Sequence, residues 1–298
     1  MNTYDLCFAW DWDGDVDFVD LLDEACRARG LTMLQVTPAN LDRVLGSLTA
    51  AELGYRVFFD RASDEDERFL SLVAWARDHH AACINPYDRA ERAWDKAAMH
   101  GALSGAVQTP YTLILPPYTE QPELPPLDLS PLGASFTIKP AYGGGGTGVM
   151  LGVSADKIPA ARQMFPDRKY MLQSHVVPMR LHGRPAWFRV LYSAGKVYPC
   201  WWDMNTHGYT ALTSAAEEHY GLKPLRGIAE TIARISGLQL FSSEVALTPE
   251  GKFLVVDYVN NPVDLRPQSK TPDGVPNLIV RFIAEDMAHL AAAHLAPC

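Results

Sequence analysis

The sequence predicts an α/β (α+β) protein: a small parallel-sheet unit followed by antiparallel strand pairs, one of which is closed by a glycine flap. Three observations carry that expectation. Strand-like and helix-like segments alternate through the first 85 residues, the pattern of a parallel sheet with crossover helices. Four consecutive glycines, Gly143 to Gly146, stand between two strand-like segments, 136–140 and 149–153. Late in the chain, apolar segments separated by turn residues, at Gly195 and at Thr248-Pro-Glu-Gly251, read as hairpins.

The elements follow in order. Residues 4–10 are a first strand, and the acidic loop Asp11-Trp-Asp-Gly-Asp15 leads into a helix over 18–29. Phe18, Leu21, Leu22 and Ala25 give that helix its apolar face, and Gly30 is its stop signal. Strands at 31–36 and 55–59 alternate with helices at 41–48 and 69–79, and this unit ends near Asn85-Pro86. Residues 91–104 are expected as a helix holding Lys96, and 111–115 as a strand. The proline-rich run from Pro116 to Pro131 reads as a rigid, exposed link. A helix near 154–164 and a strand at 170–173 follow the flap. Strands at 187–192 and 196–202, a helix at 225–235, strands at 240–247 and 252–256, and a helix at 276–290 complete the chain. The expected divisions are 1–85, 86–178 and 179–298.

Composition narrows the function. A chain of 298 residues with 48% apolar side chains can bury a sizeable core, and its length suggests about two domains. A net charge of −9 and a pI near 5.4, with no basic patch, argue against nucleic-acid and membrane-surface partners. Cys7, Cys26, Cys83, Cys200 and Cys298 are odd in number and form no Cys-x-x-Cys pair, which suits reduced thiols in the cytoplasm. The start of the chain lacks the basic and apolar regions of a signal peptide, so none is expected. No apolar stretch approaches the ~18 residues that span a bilayer.

The glycine run is the most informative segment. Each glycine costs roughly 1 kcal/mol inside a helix or strand, so four together serve another purpose. Without Cβ atoms, the backbone can turn its N–H groups toward an anion. Lys139, just before the glycines, supplies a point charge suited to phosphate. A Walker loop would place its lysine after the glycines, and a dinucleotide fingerprint would open a helix. Here the segment after the loop reads as a strand, so the simplest reading is a hairpin flap over the phosphates of a nucleotide; the plain alternative is a hairpin with a loose tip.

Other residues fall into line with the flap. Lys96 and Lys139 offer two cations for phosphates. Gln173, Ser174 and Val176 end a strand and can form an interdomain hinge. Arg189 lies in a later strand, and Glu244, Asp257 and Asn260 offer oxygen ligands suited to magnesium, which takes few protein oxygens and several phosphate oxygens.

In order and spacing, these residues resemble the ATP-grasp superfamily of carboxylate–amine ligases, over roughly 86–290. The resemblance implies an ATP-grasp fold preceded by a pre-grasp domain, with ATP and Mg2+ as cofactors. It implies that Lys96, Lys139 and the flap Gly143, Gly144, Gly145 and Gly146 hold the phosphates, and that Gln173, Ser174 and Val176 form the adenine hinge. It further implies that Glu244, Asp257 and Asn260 bind metal, and that Arg189 and Lys139 act in catalysis. The implied reaction makes an acyl phosphate from a small-molecule or peptide carboxylate, which an amine or thiol then attacks. The alternatives are a kinase on the same fold and a nucleotide-binding protein that turns nothing over. Among oligomers, a homodimer is the commonest outcome.

The chain departs from the family pattern at three places. Asp257 and Asn260 are three apart where two is usual, which leaves Asn261 as an alternative ligand. Ser174 stands where an acid often sits, and Trp201-Trp202-Asp203 replaces a usual basic residue. The loop at Asp11–Asp15 resembles a phosphatase motif or a calcium loop, but a calcium loop would place Leu22 at its twelfth position. Its aspartates are expected to cap the following helix, or to meet a cationic substrate.

Overall fold

The computed structural model describes residues 2–296; Met1, Pro297 and Cys298 lie outside the described residues. The other four cysteines are free.

The first unit alternates strand and helix as expected in β1 (Asn2–Trp10), α1 (Val16–Arg27), β2 (Met33–Val36), α2 (Leu41–Thr49), β3 (Leu53–Arg61) and α3 (Leu70–Asp78), and adds a short strand the sequence reading missed, β4 (Ala82–Ile84). Its strands pair in parallel in the order β2-β1-β3-β4. Alternation along β1 decides the two faces. Cys7 and Ala9 pack with Leu41, Val44 and Leu48 of α2 and Leu72 of α3. Leu6 and Phe8 pack with Phe18 and Leu22 of α1.

The middle of the chain holds α4 (Tyr87–Trp94), α5 (Lys96–Leu103), β5 (Thr112–Leu115), β6 (Phe136–Pro140), β7 (Met150–Val153), α6 (Ile158–Met164) and β8 (Tyr170–Ser174). The single helix expected at 91–104 is broken at Asp95, whose backbone is extended (φ −79, ψ 97). Its carboxylate then accepts from the Ala97 and Ala98 amides at 2.8 and 3.1 Å, an N-cap. The break makes Lys96 the first residue of α5. Strands β5-β8-β6-β7 form an antiparallel sheet, and the flap joins β6 to β7.

A small hairpin, β9 (Arg180–Leu181) and β10 (Arg184–Pro185), leads to the second antiparallel sheet. That sheet contains β11 (Trp187–Ser193), β12 (Lys196–Trp202), β13 (Tyr209–Ala211), β14 (Leu240–Leu247) and β15 (Phe253–Asn260), in the order β13-β12-β11-β14-β15; α7 (Ser214–His219) and α8 (Pro224–Ser236) lie between β13 and β14 in the chain. Phe188, Val190, Phe241 and Val245 pack with Leu225 and Ile232 of α8. Trp187, Leu191, Leu240 and Ala246 point to the opposite face.

The last helix, α9 (Asn277–Leu295), runs five residues beyond its expected end. Its Ile279, Val280, Ile283 and Met287 share one apolar cluster with Leu6, Phe8 and Phe18 of the first unit and Trp187 and Leu191 of the large sheet. The parallel sheet is thus covered on one face by α1 together with a helix from the far end of the chain, and the two sheets are held around a common core. A buried ion pair adds to this. Arg61 donates to both Asp15 oxygens (2.8 and 2.6 Å) and to the Val263 carbonyl (2.9 Å), with the Arg61 and Asp15 side chains 3% and 2% exposed. Asp15 is the N-cap residue of α1 but makes no side-chain capping bond, because both oxygens serve Arg61.

Removing one member of this pair strands the other charge in the core. Asp15→Ala is expected to destabilise the protein by roughly 3–5 kcal/mol in urea unfolding, whereas Asp15→Leu with Arg61→Met costs much less. Equal losses in the two variants would show that the charge pairing is not what matters there.

Candidate functional site

The β14–β15 ladder carries the acidic side chains and is irregular where they sit. Six residues of β14, Ser242 to Leu247, face eight of β15, Phe253 to Asn260, with register shifts on both sides of Glu244. Two bulges therefore flank Asp257, each adding one residue to β15. Asp257 remains opposite Glu244, and Asn260 returns opposite Ser242. The three-residue spacing from Asp257 to Asn260 is the sequence trace of the second bulge.

Lys139 reaches this seam from β6. It is 6% exposed, and its Nζ donates to the carbonyl of Val256, the extra residue of the first bulge, at 3.0 Å. Burial lowers its pKa, helped by the neighbouring Lys96, against the pull of Asp257 and Glu244. Its ammonium lies 5.7 Å from the centroid of the Tyr258 ring.

Across the ladder, Arg189 pairs with Glu244 in register. Its Nη1 donates to Glu244 Oε1 at 3.2 Å and its Nε to Ser242 Oγ at 3.1 Å, and its guanidinium lies 4.7 Å over the Trp202 ring. Trp187 Nε1 donates to Glu244 Oε2 at 3.3 Å. Burial, with Asp257 beside it, raises the Glu244 pKa against the pull of Arg189. The Oδ1 of Asp257 is buried and has no hydrogen-bond partner. Asn260 donates its amide to the Ser242 carbonyl at 3.4 Å, which leaves its oxygen as an acceptor. Asn261 is committed elsewhere, since its Oδ1 accepts from Asn85 Nδ2 at 2.6 Å and its carbonyl from Trp94 Nε1 at 2.8 Å.

Two carboxyls and an amide oxygen are the hard oxygen donors that magnesium takes. A buried carboxylate oxygen without a partner is costly unless a cation or donor meets it, so these residues fit that ion. No group of three or more His, Cys, Asp or Glu side chains able to hold a metal occurs among the described residues.

Lys96, at the start of α5, donates its Nζ to the Gly143 carbonyl and its backbone N–H to the Ala141 carbonyl at 2.7 Å. The flap itself is exposed from Gly143 to Gly146. Gly145 and Gly146 have φ of 61° and 74°, which only glycine adopts readily, whereas Gly144 has neither a positive φ nor a neighbour within 4 Å of an added Cβ. Nothing in the fold itself requires glycine at position 144.

The expected hinge residues are less free. Gln173 is buried, and its Nε2 lies 3.2 Å from both Thr112 Oγ1 and Tyr258 Oη. The Ser174 N–H donates to the Tyr111 carbonyl at 2.9 Å, and Val176 packs against the common core. The structure thus brings Lys96, Lys139 and the flap to one end of the β14–β15 seam with Arg189, Glu244, Asp257 and Asn260, and turns the Gln173 side chain inward.

Several residues escaped the sequence reading. His100, one turn after Lys96 on α5, bonds through Nδ1 to Tyr258 Oη at 2.7 Å, and burial, then Lys139, lowers its pKa. Its i+4 spacing from Lys96 is the one signal that could have found it. Asp64, after β3, escaped it too; it lies near Asp11 of the acidic loop that follows β1. Burial and neighbouring carboxylates raise Asp11 to about 6 and Asp64 to about 7. Asp64 also influences Tyr142, at the start of the flap.

The sequence matches no known family profile and no curated protein. Solved structures do match. A RimK-domain ATP-grasp protein from Sphaerobacter thermophilus is 21% identical, with 95% of this chain and 98% of that one covered at a TM-score of 0.63. The D-cycloserine synthetase DcsG is 17% identical, with 96% and 99% covered at 0.59. The ATP-grasp ligase PsnB, in complex with a minimal precursor, Mg and ADP, is 14% identical, with 97% and 98% covered at 0.64. This chain has the ATP-grasp fold. Among the described residues, no helix is long and apolar enough to cross a membrane.

The raised carboxyls give a pH dependence with a definite sign. The folded state holds protons on Asp11 and Asp64 that the unfolded chain, with aspartate near 3.8, has released. Their contribution to stability is therefore full below about pH 4 and lost as pH rises to about 7. The Asp64→Asn variant should show a flatter decline in melting temperature between pH 5 and 8 than the wild type. A parallel decline in both would remove Asp64 as its source.

Proposed function

We propose that this protein is an ATP- and magnesium-dependent ligase that activates a substrate carboxylate as an acyl phosphate for attack by an amine or thiol. The observation that carries the reading is the seam at β15, where the unpartnered Asp257 oxygen, Glu244, Asn260, Lys139 and Arg189 converge below a glycine flap. The ligases among the structural neighbours support the same reading.

In this reading, Glu244, Asp257 and Asn260 would hold magnesium, which would neutralise charge on the phosphates. Lys139 and Lys96 lie against the negative phosphates, and the flap amides hold the γ-phosphoryl group while water is kept out. The carboxylate oxygen attacks the γ-phosphorus and ADP leaves. The amine or thiol then attacks the acyl carbon, the C–O bond to phosphate breaks, and phosphate departs. Arg189 stabilises the oxyanion formed between these two events. Gln173, Ser174 and Val176 line the adenine hinge, with the Ser174 carbonyl and the Val176 backbone facing the base, because the Gln173 amide is engaged by Thr112 and Tyr258 and the Ser174 N–H by Tyr111. A non-catalytic nucleotide binder is the less favoured reading, since the bulge accounts for the long Asp257–Asn260 spacing that suggested it. PsnB has also been crystallised with a precursor peptide, which supports a peptide carboxylate as the substrate class. The reaction would belong to the cytoplasm, the compartment that suits free thiols.

Thermal melting tests the site without knowing the substrate. Mg·ATP or Mg·ADP at a hundred times its dissociation constant should add about 2.7 kcal/mol of stability, with NAD giving none. Lys139→Met should abolish the shift, and Asp257→Asn should abolish its dependence on magnesium. Once a carboxylate is found, 18O from it should appear in released phosphate. ADP formed without free phosphate would identify a kinase instead.

A further inference from the structure

The start of the flap meets Arg168 and its end meets Phe165, two side chains in mutual contact, while a Cβ added at its tip would meet nothing. At the start, Arg168 Nη1 donates to the Tyr142 carbonyl at 3.1 Å, and a Cβ on Gly143 would stand 3.2 Å from that nitrogen. At the end, a Cβ on Gly148 would stand 2.7 Å from Phe165 Cε2 and 3.4 Å from Cδ2. Arg168 and Phe165 are themselves in contact, with the guanidinium 4.6 Å from the ring centroid. Added Cβ atoms on Gly144, Gly145 and Gly146 would meet nothing within 4 Å. Gly143 and Gly148 are therefore where the flap is held, and the three glycines between are where it can move.

This pair is fixed to the rest of the sheet by an unusual arrangement. Phe165 directly follows α6, in which Arg162 is 2% exposed. Its Nη2 donates to the carbonyls of Pro116, Pro117 and Gln121 at 3.0, 3.2 and 2.6 Å, and its Nη1 to that of Pro122 at 3.3 Å. No carboxylate is among these partners: the buried guanidinium is met by backbone carbonyls of the proline-rich link and by the Tyr118 ring, its centroid 5.6 Å away, while its Nε has no partner. That link also touches the pair's own turn, since the N–H and hydroxyl of Thr119 both donate to the Pro166 carbonyl, at 3.1 and 3.3 Å. Burying a guanidinium without an anion is expensive, and what it secures here is the end of α6 that carries Phe165 and Arg168.

We infer that Phe165 and Arg168 are positioning residues that form the pivot on which the glycine flap closes, and that Arg162 anchors this pivot to the proline-rich link. The inference rests on the nucleotide reading of the flap proposed above. It assigns a role to three residues that touch neither the phosphate lysines nor the acidic side chains, and it gives the link at 116–131 a purpose beyond spacing.

Hydrogen exchange of the 143–148 amides, with and without Mg·ADP, tests it alongside the dissociation constant for Mg·ADP. In the wild type, Mg·ADP should slow exchange across the flap. Arg168→Met should keep a melting temperature within a few degrees of wild type, bind Mg·ADP about tenfold more weakly and lose most of the protection. Gly148→Ala should also weaken binding, and less so in a Phe165→Ala background, where the ring it would strike is gone. An Arg168→Met protein with wild-type affinity and protection, or purely additive effects of Gly148→Ala and Phe165→Ala, overturns the pivot alone. Failure of the wild type to respond to Mg·ADP would overturn the nucleotide reading and the lid together.

Discussion

Strand β15 must pair with β14 while carrying two more residues than that partner can match, and the site depends on how the surplus is placed. A regular ladder would alternate side chains strictly, so Asp257 and Asn260, three apart, would point to opposite faces. One bulge returns Asn260 to the register of Ser242, while the other frees the Val256 carbonyl toward Lys139. The same irregularity therefore serves both groups of charges. It sets Asp257 opposite Glu244 and supplies the acceptor that holds the buried lysine between the two antiparallel sheets.

The charges at this seam balance only in part. Lys139 and Arg189 face Glu244 and Asp257, but the contacts are uneven: Arg189 bonds Glu244, while the Oδ1 of Asp257 has no partner and Lys139 bonds a neutral carbonyl. Burial lowers the pKa of Lys139 and raises that of Glu244, so this arrangement is poorly satisfied by itself. A ligand bringing both anionic phosphate and a divalent cation would relieve each of these groups at once. A nucleotide alone would leave the acids unrelieved, and a metal alone would leave the lysine so. That complementarity is the physical reason to expect the two to bind together.

How far the sequence discloses this depends on whether a signal is local. The parallel unit is legible because its apolar periods switch between two and 3.6 within short windows, and the flap because glycine is the one residue without a Cβ. Lys96, Lys139, Glu244 and Asp257 are expected as a group from the resemblance in their order along the chain, and their roles remain a proposal. The bulges are not legible, since they belong to a pair of strands and no window of β15 contains its partner. The break at Asp95 is likewise hidden: residues 91–104 keep helical composition throughout, and only the extended backbone at Asp95, with its capping bonds, divides them. Asp15 illustrates the reverse case. It occupies the capping position expected of it, yet its carboxylate is taken by Arg61, 46 residues away.

The same distinction bears on why α9 returns to the first unit. The parallel sheet has α2 and α3 on one face, but α1 alone cannot cover the other, and Leu6, Phe8 and Phe59 would remain partly wet. The C-terminal helix completes that face, and the segment just before it passes Val263, whose carbonyl accepts from Arg61. Chain that has just left Asp257 and Asn260 is thereby tied to the strand ends that carry Asp11 and Asp64. A cleft assembled from the first and last parts of one chain can hold its facing loops at a fixed separation only if both are anchored in one core. The shared cluster from Leu6 to Met287 meets that condition, and the strands that carry the flap pack in a separate cluster outside it.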